Sequence, residues 1–181
     1  VFKLSNTQAL KTVENAMRKI KIGKVVLNIG VGKSGDVLER AKKILEELSN
    51  QKPCFRKAKR TVRDFGIHRG EPIATMVTLR GDNALKTLKR ILFAKGMRLP
   101  ISSFDERGSC SFGIREHIEI PGMRYDPEIG IFGLNVSVLL ERPGYRVSRR
   151  KRAKSNIGRN HRVNRDDAIR FFKESLEVEV Y

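Results

Sequence analysis

Lys24–Val25–Val26–Leu27–Asn28–Ile29, then Gly30–Val31–Gly32–Lys33–Ser34–Gly35, then Asp36–Val37–Leu38: a β-branched run, a glycine turn and the start of an amphipathic helix follow one another without a spacer. The first six residues predict a strand. Asp36 is placed to cap the helix, and Leu38, Ala41, Leu45 and Leu48 recur at helical spacing as its buried stripe. Pro53 ends the unit. Upstream, Leu10, Val13, Met17 and Ile20 predict a helix over residues 6–19. Downstream, residues 54–61 predict a strand with a basic face, and residues 73–79 a second, more apolar strand. A polar loop over residues 62–72 lies between them. Asp82 is expected to cap a helix with Leu85, Leu88 and Leu92 on one face. Strands follow over residues 111–119 and 132–140. Asn164 caps a final helix in which Ile169 and Phe172 face the core. The pattern predicts an α+β fold, an antiparallel (mixed) sheet with helices packed on one face.

The chain has 181 residues, the length of one compact domain with at most an appendage. Its 38 Lys and Arg against 20 Asp and Glu leave a net charge of +18. Such an excess repels itself in the compact state, so it points to a polyanionic partner. A phosphate backbone rewards many cations at once through counterion release, which favours nucleic acid over a membrane or an acidic protein. No apolar run approaches the ~20 residues of a spanning helix. Residues 1–12 have no apolar signal core, so export is not expected, and the first residue, Val1, leaves trimming there open. Cys54 and Cys110 make neither a disulfide framework nor a closely spaced metal pair, and a reduced, intracellular setting is the simplest reading.

Residues 142–165 differ from the rest. Arg142, Arg146, Arg149, Arg150, Lys151, Arg152, Lys154, Arg159, Arg162 and Arg165 stand there without one acid. This basic extension is expected to be disordered alone. The helix predicted after it makes it a loop rather than a free tail.

Gly30, Gly32 and Gly35 spell the outline of a dinucleotide fingerprint. The acid that should follow about 20 residues on is missing, because that region reads Cys54–Phe55–Arg56–Lys57. Gly32–Lys33–Ser34 mimics the end of a P-loop, but Leu27 stands where its first glycine belongs. A tight strand-to-helix turn is the preferred reading, with Lys33 and the turn's N–H groups free to approach an RNA phosphate. His68, His117 and His161 are scattered. Strand alternation would put Arg115, His117 and Glu119 on one face. Asp105, Glu116, Glu119 and Asp126 could form an acid–base pair, but salt bridges to the abundant Arg are the preferred reading. No nucleophile stands beside a base in a recognisable motif, so no catalytic residue, metal or cofactor is expected. Arg56–Lys57–Ala58–Lys59–Arg60 suits either a protected strand edge or a phosphate-tracking surface, and the whole-chain charge favours the latter. Aromatic residues are only 7% of the chain, so recognition should rest on shape, 2′-hydroxyls and phosphates rather than base stacking.

Several stretches together resemble one family in order and spacing. They are Lys24–Val25–Val26–Leu27–Asn28–Ile29–Gly30–Val31–Gly32, Asn50–Gln51–Lys52–Pro53 and Phe65–Gly66–Ile67–His68–Arg69–Gly70–Glu71–Pro72–Ile73. Val77–Thr78–Leu79–Arg80–Gly81, Phe104–Asp105, Gly113–Ile114–Arg115–Glu116–His117 and the run from Tyr125 to Gly133 complete the set. The chain resembles the large-subunit ribosomal protein called L-five in bacteria and archaea and L-eleven in the eukaryotic cytosol. Glu141–Arg142–Pro143–Gly144–Tyr145 and Arg149–Arg150–Lys151–Arg152 resemble the archaeal and eukaryotic branch. Asn50 stands where that family usually has glycine, and Cys54 follows the proline.

The resemblance implies a single domain over residues 1–181 that binds 5S rRNA and joins it to the large-subunit rRNA at the central protuberance. Lys24, Asn28, Gln51 and Thr78 are the implied 5S contacts. Asn28 and Gln51 bring amides that donate and accept, Lys24 a charge and Thr78 a hydroxyl. Lys33, Arg56, Lys57, Arg149, Arg150, Lys151, Arg152 and Lys154 are further candidates for rRNA. The loop over residues 58–72 is implied to face the P-site tRNA, with Lys59, Arg60, Arg63, His68 and Arg69 on its backbone and Gly66 and Gly70 letting it bend. The expected partners are these RNAs and neighbouring ribosomal proteins, with no membrane. The expected location is the large subunit in the cytoplasm, or the nucleolus during assembly in a eukaryote. Two other classes stay open. A generic basic DNA-binding or chromatin protein would bind by charge alone. An RNA-directed enzyme would need a carboxylate cluster or a complete nucleotide loop.

Overall fold

A computed structural model describes residues 15–181. Its main sheet has five strands, β1 (Lys21–Gly30), β2 (Cys54–Lys57), β3 (Pro72–Leu79), β5 (Ser109–Ile114) and β6 (Leu134–Glu141), in the order β2-β3-β1-β6-β5. Every pairing in it is antiparallel. The short β4 (Arg98–Leu99) and β7 (Glu179–Val180) form a separate parallel pair. Helices α1 (Asp36–Ser49), α2 (Gly81–Ala94) and α3 (Arg165–Leu176) complete the fold. The α+β expectation holds.

Strand alternation decides which face is covered. Val25, Leu27 and Ile29 of β1, Val77 and Leu79 of β3, and Val136 and Val138 of β6 are buried. They share one core with Leu45 and Leu48 of α1, Leu88, Ile91 and Leu92 of α2, and Phe172 of α3. Lys24, Val26 and Asn28, and their cross-strand neighbours Thr78, Asn135 and Ser137, point the other way. No described helix covers that second face.

Several sequence expectations change. The helix foreseen over residues 6–19 falls largely outside the described residues. Within them Ala16–Arg18 is one 3-10 turn, with the Asn15 side chain accepting from the Met17 N–H (3.0 Å), and Lys19 is already extended. Asp36 and Asp82 do not cap their helices. Gly35 and Arg80 hold the cap positions, so each acid sits in the first turn, where it still favours the positive end of the helix dipole. Leu85 is exposed, because the buried stripe of α2 runs through Ala84, Leu88, Ile91 and Leu92. The strand expected over residues 54–61 stops at Lys57. That expected over 111–119 stops at Ile114, and residues 117–119 form a 3-10 turn that breaks the alternation of Arg115, His117 and Glu119. Asn164 does cap α3, in a capping box with Asp167.

Two positions show why these residue types stand there. Asn50 ends α1 at φ 51°, the left-handed region in which Asn is the usual second choice to Gly. Gly23 sits at a bulge in β1, and any Cβ there would collide with the Glu141 carboxyl group. Thr75 is fully buried in β3 and its hydroxyl has no hydrogen-bond partner among the described residues. Thr75→Val should therefore stabilise the fold by about 1 kcal/mol, since it removes an uncompensated desolvation cost at constant shape. Thermal unfolding should show a rise of about 3 °C.

Candidate nucleic-acid interface

Register turns the uncovered face into ordered ranks. Val26 lies between Thr78 and Ser137, and Asn28 between Met76 and Asn135. On the flanks, Ser111 opposes Ser137, Gly113 opposes Asn135, and Arg56 of β2 opposes Ala74. The face thus brings together Lys24, Asn28, Thr78 and Arg56, four of the candidate residues. Gln51 lies off the sheet, half-buried in the α1–β2 connection, where its backbone N–H and carbonyl both bond the Ser49 hydroxyl (3.2 Å each). Asn135, Ser137 and Ser111 share that face and were not among the sequence candidates. The alternation Leu134–Asn135–Val136–Ser137–Val138 would have found the first two.

The basic residues collect at the two ends of the sheet. β2 is an edge strand, exposed along its whole length, and Arg56 and Lys57 lead from it into the loop. That loop is a folded hairpin. Ala58 pairs with Gly70 and Glu71, Val62 with Ile67, and a 3-10 turn, Arg63–Phe65, forms the tip. Gly66 (φ 64°) and Gly70 (φ 91°) make the bends expected of them. Lys59, Arg60, Arg63, His68 and Arg69 are all exposed, and Phe65 stands 75% exposed at the tip. Glu71 anchors the base. Its carboxylate accepts the His68 N–H (3.0 Å) and the Ser34 hydroxyl (2.7 Å), and the first of these holds its pKa below the usual carboxylate value. The N–H groups of Val31 and Gly32 donate to the Ile73 carbonyl (3.0 and 2.9 Å). The turn's first two donors are therefore spent inside the fold, and exposed Lys33 is what it offers a phosphate.

At the opposite end, where Lys21 pairs with Glu141, β6 runs into the basic segment. Disorder was expected there, and the structure corrects it. Arg142 bonds Asp167 (2.8 Å) and Arg149 bonds the buried Glu141 (2.6 Å). The Tyr145 hydroxyl donates to the His161 carbonyl (3.1 Å) and accepts the Val163 N–H (2.7 Å), and Val163 is buried. The His161 ring bonds the Pro143 carbonyl (2.8 Å). Between these ties Arg150, Lys151, Arg152 and Lys154 stay exposed.

The groups weighed for catalysis are placed otherwise. Asp105 and Asp126 accept from the backbone N–H groups of Glu106 and Glu128 (2.9 Å each), as short acids do in turns. Neither they nor Glu116 and Glu119 join any ion pair among the described residues, so the salt-bridge reading of these four also falls. His117 is buried and accepts the Phe132 N–H at Nδ1 (3.3 Å), and burial lowers its pKa. Burial pushes the Cys110 thiol up to about 12, which leaves it inert. The described residues hold no cluster of three or more potential metal ligands.

An α+β protein with one uncovered, largely neutral polar sheet face and a basic arm at each end belongs among proteins built to lie against a large polyanion. Two family models match it, Ribosomal protein L5 over residues 15–68 and the C-terminus model of the same ribosomal family over residues 72–178. The large ribosomal subunit protein uL5 of Sulfurisphaera tokodaii is 50% identical over 167 residues, 92% of this chain and 94% of that protein. The uL5 proteins of Aeropyrum pernix and Nitrosopumilus maritimus are 54% and 49% identical, over 84% and 94% of this chain and 80% and 98% of their own lengths. The chain belongs to the ribosomal protein L5 family.

Proposed function

We propose that this chain is a structural, non-enzymatic constituent of the large ribosomal subunit that binds 5S rRNA with its uncovered sheet face. Lys24, Asn28 and Thr78 on that face, with Gln51 beside it, make the 5S contacts. The basic segment, through Arg149 to Lys154, reaches the large-subunit rRNA and joins the two RNAs at the central protuberance. The hairpin loop lies near the P-site tRNA, with Lys59, Arg60, Arg63, His68 and Arg69 toward its backbone. Family membership supports the ribosomal assignment. One observation carries the recognition mode: uncharged side chains occupy the middle of the face, the polar Asn28, Thr78, Asn135 and Ser137 set around the apolar Val26 and Met76, while positive charge gathers at the sheet's two ends. Charges supply affinity and neutral groups supply selectivity.

The test is binding to 5S rRNA, to a tRNA and to duplex DNA of similar length, at several salt concentrations. The chain should prefer 5S rRNA at raised salt. Asn28→Ala/Gln51→Ala should weaken that complex about 30-fold, two hydrogen-bonding groups at ~1 kcal/mol each, and leave the other two unchanged. Equal binding to all three, lost with salt and indifferent to the substitutions, would make this a generic basic protein instead.

A further inference from the structure

We infer that the cleft between the Ala16–Arg18 turn and helix α3 binds one nucleotide, a guanosine 5′-phosphate unit, either as a free mononucleotide or as an unpaired residue of RNA. It is a site apart from the sheet face, because none of the contacts proposed above lines it.

Sequence spacing builds one wall. Asp167, Arg170, Phe171, Glu174 and Ser175 recur at steps of three and four, so they share one face of α3. Ala168, Phe172 and Leu176 turn the adjoining stripe into the core. The other wall is the Ala16–Arg18 turn, held by the Asn15 side chain at the Met17 N–H (3.0 Å), with Lys19 and Ile20 after it. Between the walls lies a cavity of about 770 Å³. Small-molecule sites run to ~300–1,000 Å³. A lone phosphate would leave most of this space empty, whereas a nucleotide would fill it.

The lining divides by chemistry. Arg18, Lys19 and Arg170 are exposed and join no ion pair among the described residues. They suit a phosphate. Ile20 and Phe171 are half-buried against the core and give a base an apolar, aromatic surface to lie on. Asp167 is already engaged, with Arg142 at 2.8 Å and the Asn164 N–H at 3.3 Å, so that pair forms a fixed floor. Glu174 is different. It is exposed and has no ion-pair partner among the described residues, which leaves a carboxylate that only accepts. Such a group repels the carboxylates of an acidic peptide, the other ligand that the cations would attract. It matches a base that donates. Guanine presents N1–H and N2–H side by side, and one carboxylate can accept both.

The experiment measures GMP and AMP binding to the full chain by equilibrium dialysis. It then repeats the comparison with single-stranded pentanucleotides that carry guanosine or adenosine between uridines. GMP should bind about 10-fold more tightly than AMP, the worth of one hydrogen-bonded edge. Glu174→Gln should erase that preference. Arg18→Gln/Arg170→Gln should weaken both mononucleotides about 10-fold and leave their ratio alone. All three side chains are exposed, so an unchanged melting temperature separates lost binding from lost folding. A guanine preference shown by the pentanucleotides marks RNA as the source, and one confined to the mononucleotides marks a free nucleotide. Attraction by charge alone does not distinguish the two bases. Equal binding of GMP and AMP, no binding at about 10 mM, or a guanine preference that survives Glu174→Gln would overturn the inference. Each of those results leaves 5S rRNA binding by the sheet face untouched.

Discussion

Asp167→Ala should destabilise the protein by about 3 kcal/mol and loosen the whole basic segment. The carboxylate carries two duties. It receives the Arg142 guanidinium at 2.8 Å, with Arg142 only 12% exposed, and it accepts the Asn164 N–H at 3.3 Å in the capping box of α3. Removing one member of a largely buried pair strands the other charge away from water, which costs more than the pair itself contributes. Losing the box adds a cap defect of ~1 kcal/mol. Thermal unfolding should fall by roughly 8 °C for a chain of this length. Limited trypsin digestion gives the local readout. Arg150, Lys151, Arg152 and Lys154 are exposed, so free wild type is cut there, and rRNA binding should protect it. The variant should be cut faster when free. Equal cleavage rates in free and bound protein would show that the segment does not engage RNA.

The second large effect is electrostatic. Replacing Arg150, Lys151, Arg152 and Lys154 together by Gln should lower the slope of log affinity against log salt by about 3, since each phosphate left without its cation accounts for ~0.7–0.9. Arg149 is left in place because its guanidinium is already bonded to Glu141 (2.6 Å). At low salt the affinity for rRNA should drop by orders of magnitude, while the preference for 5S rRNA over tRNA persists. An unchanged slope would mean that the four cations face solvent in the complex. The fold should hold its melting temperature, since none of the four is buried.

The first strand was legible because residues 24–29 are a short β-branched run and the glycine turn after it leads into α1. The starts of α1 and α2 were not, because the glycine turn before α1 and the strand end before α2 give the cap positions to Gly35 and Arg80 and move each acid one or two places inward. The order found over residues 142–165 has a sharper cause. The segment itself contains no acid, and the carboxylates that answer its charge lie just beyond its edges, Glu141 before and Asp167 after. Tyr145 and Val163 then supply the apolar anchoring that a count of charges overlooks. Candidate contacts on β1 and β3 were named through a resemblance; the alternation in β6 marks Asn135 and Ser137 as outward-facing, but only the register shows that they lie beside Asn28 and Val26.

The hairpin loop and the basic segment leave opposite ends of a sheet whose central strand, β1, has ten residues. At ~3.3 Å per residue that strand is a spacer of about 30 Å. The protein is thus a gauge as well as an adhesive. Whatever its two arms grip is held at a separation set by strand length, which side-chain changes leave untouched. Lengthening β1 and its neighbours by two residues would preserve every facing side chain and every charge, yet displace one grip by ~7 Å relative to the other. Tolerance of insertions should accordingly be high at the loop tip and nil within the strands, a pattern that reflects distance rather than stability.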